Sequence, residues 1–232
     1  VTGETLPADV KNSFLMTDYK GSPSKCKVWI AKLKEKGAGF KLASSKTLVD
    51  NVGISDVAQG YDGNLYFADY GGGWSVNKNG SVQVIRPKDK ELKRAGKAVA
   101  QLMTDGFSHR SLPELSALLE HADQRIRQAA QFAMVEKGEL AVAKLNEILG
   151  DKEFSLLAKL HSIWGLGQLA RNGYSESFTP LILKMLENKE IDIRANAARV
   201  AGSSNLLKLG SSLLELLKDP SPRVASLAAL SL

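Results

Sequence analysis

Three carboxylates, Asp56, Asp62 and Asp69, stand six and seven positions apart in the segment Ser55-Asp-Val-Ala-Gln-Gly-Tyr-Asp-Gly-Asn-Leu-Tyr-Phe-Ala-Asp-Tyr70. Carboxylates gathered near turns can ligate a hard cation such as Ca²⁺ or orient a substrate hydroxyl. Their other use is local: Asp62 in a hairpin turn, Asp56 and Asp69 closing strand ends through side-chain to backbone bonds. Trp74 follows Gly71-Gly-Gly73, a run whose amides could nest an anion but which lacks a P-loop lysine and the G-x-G-x-x-G frame. Asp56, Asp69 and Trp74 are the candidate ligand-facing or cofactor-binding residues. No catalytic residue can be named. His109, His121 and His161 share no metal-ligand spacing, and G-x-S-x-G does not occur. Cys26 is the single cysteine, so no cysteine cluster can hold zinc or iron, and no metal site is expected. It reads as a small strand residue, and His121 as a partner for a helix C-terminus.

Two kinds of element must position these residues. Nine of the 15 aromatics and 11 of the 20 glycines fall in residues 1–86, which read as short strands broken by turns. Strands are expected over 13–18, 25–34, 64–69 and 81–86. Val28 and Ile30 alternate with lysines there, and Asp62-Gly63 and Asn79-Gly80 supply the positive φ of tight hairpins. A helix over 90–103 places Leu92, Ala95, Val99, Leu102 and Met103 on one face. Ser111-Leu-Pro-Glu114 fits a capping box with proline in the first turn.

A repeat then sets in. Four leucine-rich helix ends are each followed, after a polar turn, by an apolar residue: Leu119…Ile126, Leu149…Leu156, Leu186…Ile193 and Leu217…Val224. The apolar positions lie 30, 37 and 31 residues apart, and small residues such as Ala129-Ala130 and Ala197-Ala198 follow, allowing close helix packing. Ile126, Leu156, Ile193 and Val224 should all point inward. Arg127 and Arg194 are expected to pair with Asp123 and Asp192.

The net charge of +6 divides as +3 in residues 1–86 and +3 in 87–232. An even excess argues against nucleic acid, which calls for a concentrated basic patch; the one stripe available would combine Lys93, Arg94, Lys97, Arg125, Arg127, Arg194 and Arg199. No apolar run reaches the ~18 residues of a membrane span. The start, Val1-Thr-Gly-Glu4, has no signal-like character, and the final leucines remain in helical period, so both ends are expected to be cuts in a longer protein.

Ile126-Arg127, Ile193-Arg194 and Asp219-Pro-Ser-Pro-Arg-Val224 resemble HEAT repeats over roughly residues 110–232, although Leu156-Leu157 lacks the arginine. Four further phrases, Phe14-Leu-Met-Thr-Asp-Tyr19, Gly37-Ala-Gly-Phe40, Asp56 to Asp69, and Gly73-Trp74 with Asn79-Gly-Ser-Val82, resemble the last propeller blades of a second family. These are large secreted proteins of planctomycete and verrucomicrobial type bacteria, described as membrane-bound dehydrogenases. Their propeller is similar to quinoprotein glucose and sorbosone dehydrogenases. Gly80-Ser81 departs from the arginine that the family often carries after this glycine.

The resemblance implies a partial β-propeller of about two blades (1–86), a connecting helix and linker (87–109) and a truncated HEAT-type α-α superhelix (110–232). Asp56 or Asp69 would sit at the rim of the propeller channel. It implies a fragment, itself inactive, of a periplasmic or cell-surface enzyme oxidising a sugar or alcohol. That parent would use pyrroloquinoline quinone and Ca²⁺ and pass electrons to a haem c domain outside this chain, which has no C-x-x-C-H and no cofactor of its own. The rival reading is a non-catalytic scaffold gripping a protein partner on the concave HEAT face.

Overall fold

The computed structural model describes residues 1, 3–75, 78–204 and 207–232. The chain divides into two compact units: Val1–Glu35 with Phe40–Asp105, and Gly106–Leu232 with Lys36–Gly39. The first is mostly strand, the second helical.

The first unit holds two antiparallel three-stranded sheets. One is β1 (Phe14–Asp18), β2 (Lys27–Lys36) and β3 (Gly39–Asp50); the other is β4 (Ile54–Gln59), β5 (Leu65–Asp69) and β6 (Ser81–Ile85). In β2 the period of two buries Val28 and Ile30 and leaves Lys27, Trp29 and Ala31 half-buried on the other face, while the far end of the strand from Leu33 is exposed on both. Val28 and Ile30 join Leu6, Val10, Ile54, Leu65 and Phe67 in one core. The register of β4 on β5 shifts between Ile54 and Asp56. Helix α1 (Lys90–Asp105) belongs to this unit, not to the helical one. It buries Gly96 and Val99, and a Cβ at Gly96 would stand 2.2 Å from the Asp62 carbonyl oxygen, so only glycine lets the helix lie on that turn. Asp89 accepts from the amides of Glu91 and Leu92 at 2.8 and 3.0 Å and so starts the helix.

The second unit contains α2 (Leu112–Leu118), α3 (Gln124–Glu136), α4 (Glu139–Gly150), α5 (Leu156–Leu169), α6 (Ser175–Leu186), α7 (Ile191–Ser203), α8 (Gly210–Leu216) and α9 (Pro222–Ser231). The Ser111–Glu114 capping box opens α2, with both reciprocal bonds present. Each even-numbered helix packs on the next helix in sequence, making four hairpins. The even helices also touch one another in order, as do the odd ones, so the hairpins lie side by side in two rows.

The repeat is read from the capping residues Asp123, Ser155, Glu190 and Ser221. Three residues past each cap stand Ile126, Ala158, Ile193 and Val224, all buried, and seven past stand Ala130, Ser162, Ala197 and Ala228, also buried. This corrects the expectation for Leu156. That side chain is 37% exposed on the first turn of α5, and the inward place belongs to Ala158 at 0%. The cap of α5 is Ser155, so Leu156 is the first residue of its helix, whereas Ile126, Ile193 and Val224 are each the third of theirs.

Candidate functional site

Asp69 closes β5, and its Oδ1 accepts from the Gly71 amide at 2.9 Å. Its Oδ2 faces the Gln83 side-chain amide at 3.4 Å. Gly71, Gly72 and Gly73 follow with φ of 82°, 115° and 84°, a left-handed path that other residues resist. This loop carries Trp74 and is fastened from beneath. The Tyr19 hydroxyl donates to Gly73 O and the Tyr70 hydroxyl to Ser75 O, each at 2.5 Å. Tyr19 also meets the rings of Tyr70 and Trp74 edge-on, at 5.7 and 5.4 Å. The Trp74 indole lies against Gly21, where a Cβ would come within 2.3 Å of Nε1, yet the residue is 79% exposed. Desolvation, followed by the neighbouring Cys26, Tyr70 and Asp69, raises the Tyr19 phenol above its ordinary pKa.

Asp69 and Trp74 thus share a corner. Asp56 is elsewhere: its Oδ1 accepts from the Val57 amide at 2.8 Å, beside a shallow hollow bordered by Tyr66, Phe67 and Val82. Asp56 pairs with Ala68 on β5, so strand alternation sets its side chain on the opposite face of the sheet from Asp69, and among the described residues no bond or ring contact joins it to the Asp69 corner. The Gly71 amide and the Gln83 side chain on β6 take the two oxygens of Asp69, and the Val57 amide takes one of Asp56, so these carboxylates are engaged locally and do not together form a cage for the Ca²⁺ of a quinone site. Among the described residues no three His, Cys, Asp or Glu side chains are grouped to hold a metal ion. Asp62 forms the turn: its carboxylate accepts from the Asn64 amide and side chain and from the Tyr66 hydroxyl at 2.7 Å. Desolvation opposes ionisation there, but these bonds outweigh it and hold the carboxyl below its ordinary range.

One hollow of about 690 Å³ was not legible in the sequence. Leu6, Val10, Leu48, Leu65, Ile85 and Leu92 give it an apolar lining, and Lys11 and Arg86 stand among its polar residues. Its walls come from segments scattered through the first 92 residues, and no local spacing marks them.

The helical unit carries a polar seam across α3, α5 and α7. Gln131 donates from Nε2 to Gln168 Oε1 at 3.0 Å, which leaves its Oε1 to accept from His161 Nδ1 at 2.8 Å. His161 is 3% exposed, and burial, aided by the Arg127 charge, lowers its pKa to about 4. Its ring meets Trp164 at 4.8 Å. Trp164 donates to Asn196 Oδ1 at 2.9 Å, Asn196 donates to Asp192 O, and Arg199 reaches Asn196 Oδ1 at 3.2 Å while lying over the Trp164 ring at 5.7 Å. His161 and Trp164 were visible in the sequence, but their partners lie 30 and 32 residues away.

The expected arginine pairs are corrected. Arg127 donates to the His121 and Ala122 carbonyls, while Asp123 takes Arg125. Arg194 pairs with Asp219 at 2.8 Å, and Asp192 pairs with Arg223 at 3.0 Å. His121 Nδ1 accepts from the amide of Asp123, the residue that caps the start of α3, at 2.9 Å, so the bond its ring makes is to a helix N-terminus and not to the carbonyls that end α2. No helix among the described residues is long and apolar enough to cross a membrane. Compared with known proteins, the chain matches no protein-family model and no curated protein.

Proposed function

We propose that the four hairpins are HEAT-type repeats and that the two sheets are closing blades of a β-propeller. The whole would be a segment of a larger bacterial dehydrogenase acting on a sugar or alcohol at the periplasm or cell surface. In this reading the segment's own side chains hold and present, and do not react. The parent's quinone, Ca²⁺ and haem c would lie outside this chain, with the helical rows as spacer or docking scaffold. The carrying observation is the two-row stacking with its recurrent inward positions, since each hairpin buries its apolar face only against its neighbours. The four phrases quoted above support the propeller.

The test begins with the flanking coding sequence, which should contain further blades and a C-x-x-C-H motif. The full-length protein should then reduce its haem when given quinone and an aldose or alcohol. A parent with neither the motif nor turnover sinks the redox reading. The scaffold reading would survive that result. It is favoured separately by the seam through Trp164, Asn196 and Arg199, which ties successive hairpins beside exposed side chains.

A further inference from the structure

Nine residues past each cap of the odd-numbered row stand Phe132, Trp164, Arg199 and Leu230. Phe132, Arg199 and Leu230 are exposed and Trp164 is half-buried. Residues at the same helical position on neighbouring parallel-running elements fall on one face, so the four make a stripe across the row. Its centre is elaborated. Trp164, Gln168 and Arg171 lie at i, i+4 and i+7 on α5 and its continuation, and Asn196, Arg199 and Ser203 at i, i+3 and i+7 on α7. The Trp164–Asn196 bond, and Arg171 Nη1 at 3.5 Å from Ser203 Oγ, hold the two sets side by side.

The two guanidinium groups decide the ligand's charge. Arg199 commits one N–H to Asn196 and stands over the Trp164 ring, its Cζ 5.7 Å from the centroid; Arg171 commits one to Ser203. Among the described residues neither is ion-paired, whereas Arg125, Arg194 and Arg223 all are. A guanidinium has five donors in a fixed fork suited to carboxylate, so most of this capacity is unused. The neighbouring indole offers an apolar, amphipathic platform.

We infer that this α5–α7 face binds an extended acidic segment of a partner protein, its carboxylates on Arg171 and Arg199 and its apolar side chains on Trp164 and Phe132. The inference rests on the scaffold reading and names the partner's chemistry. Length agrees with a peptide: three steps between helices at about 8–10 Å each span roughly 24–30 Å, about seven to nine extended residues. Nucleic acid fits less well. A duplex or strand engages many phosphates along a basic track, and here two guanidinium groups stand between apolar residues.

The test uses the full chain and a fluorescein-labelled, end-blocked nonapeptide with Glu-Asp-Glu at its centre between leucines, read by anisotropy. Binding should weaken with added salt, and a Gln-Asn-Gln analogue should bind at least about tenfold more weakly. R171Q and R199Q should each lose about fivefold to tenfold, and the double variant all measurable binding, with unchanged far-UV circular dichroism. K218Q, a charge change elsewhere, should bind as the parent does. Equal affinity for both peptides, undiminished binding by the double variant, or no binding at about 1 mM peptide overturns the inference. Tighter binding of oligo-dT, lost in the same variants, overturns it in favour of nucleic acid. If the acidic peptide fails while the neutral one binds this face, the scaffold reading stands and the charge assignment falls.

Discussion

Arg127 and Arg194 hold the fourth position of α3 and α7 and reach back to the same two carbonyls, six and five residues upstream. Each so satisfies two carbonyls in the turn that joins the helices of its hairpin. Arg194 goes further, gripping Asp219 with Nε and Nη2, and the two side chains are only 14% and 5% exposed. Arg194→Ala should therefore cost about 2–4 kcal/mol in urea denaturation, because it strands a buried carboxylate. The Arg223–Asp192 pair is 35% and 38% exposed, so Arg223→Ala should cost under about 1 kcal/mol. His161 makes a second prediction. Its neutral ring is favoured in the fold, so the unfolded chain binds a proton more readily as pH falls below the ordinary value of 6.5. Stability should be level above that and decline by about 3 kcal/mol as pH drops towards about 4. H161Q, which keeps an amide for Gln131, should flatten denaturation midpoints measured across that window. At this scale the sequence marked His161, the arginines and Trp74, but bonding partners 25 to 32 residues distant carried no local signal. The inward place of α5 was misread because a large apolar residue is a louder signal than the alanine that fills it.

Among the elements, strands whose two faces differ in burial were legible, as β2 is. β3 was missed, and its burial explains why: Phe40 and Leu42 are exposed and nearly every position faces water, so no alternation is imposed on its composition. β4 was implied only as the arm before the Asp62 hairpin and given no bounds, its period interrupted by the register shift between Ile54 and Asp56. The face expected for α1 is the one that packs, but its tightest contact is through Gly96, which hydrophobic periodicity passes over. Gly96→Ala should gain about 1 kcal/mol of helix propensity and lose more, since the new methyl meets backbone rather than a movable side chain. A net loss of about 1–3 kcal/mol in the first unit's transition is expected by chemical denaturation. Gly167→Ala is gentler, because its methyl meets the Val200 side chain, at 2.6 Å.

For the whole molecule, composition alone separated a glycine- and aromatic-rich stretch from a helical one, and the mixed β-then-α content follows it. The compact division after Asp105 did not follow composition, because helical grammar begins before the strand-rich unit is complete. In the helical unit, stability shared between neighbours predicts graded behaviour. Ending the chain after Ser204, which removes α8 and α9 and uncovers the α7 contacts with α9, should lower the unfolding midpoint and broaden the transition while most remaining helical ellipticity survives. Complete loss of helix would mean an all-or-none fold. Cys26 offers an independent gauge of the other unit. It is the sole sulfhydryl, fully buried, donating to Ser22 O at 3.1 Å and accepting from the Lys20 amide at 3.2 Å. A maleimide can reach it only when the strand-rich unit opens, so alkylation followed by intact-mass spectrometry becomes a clock for that opening.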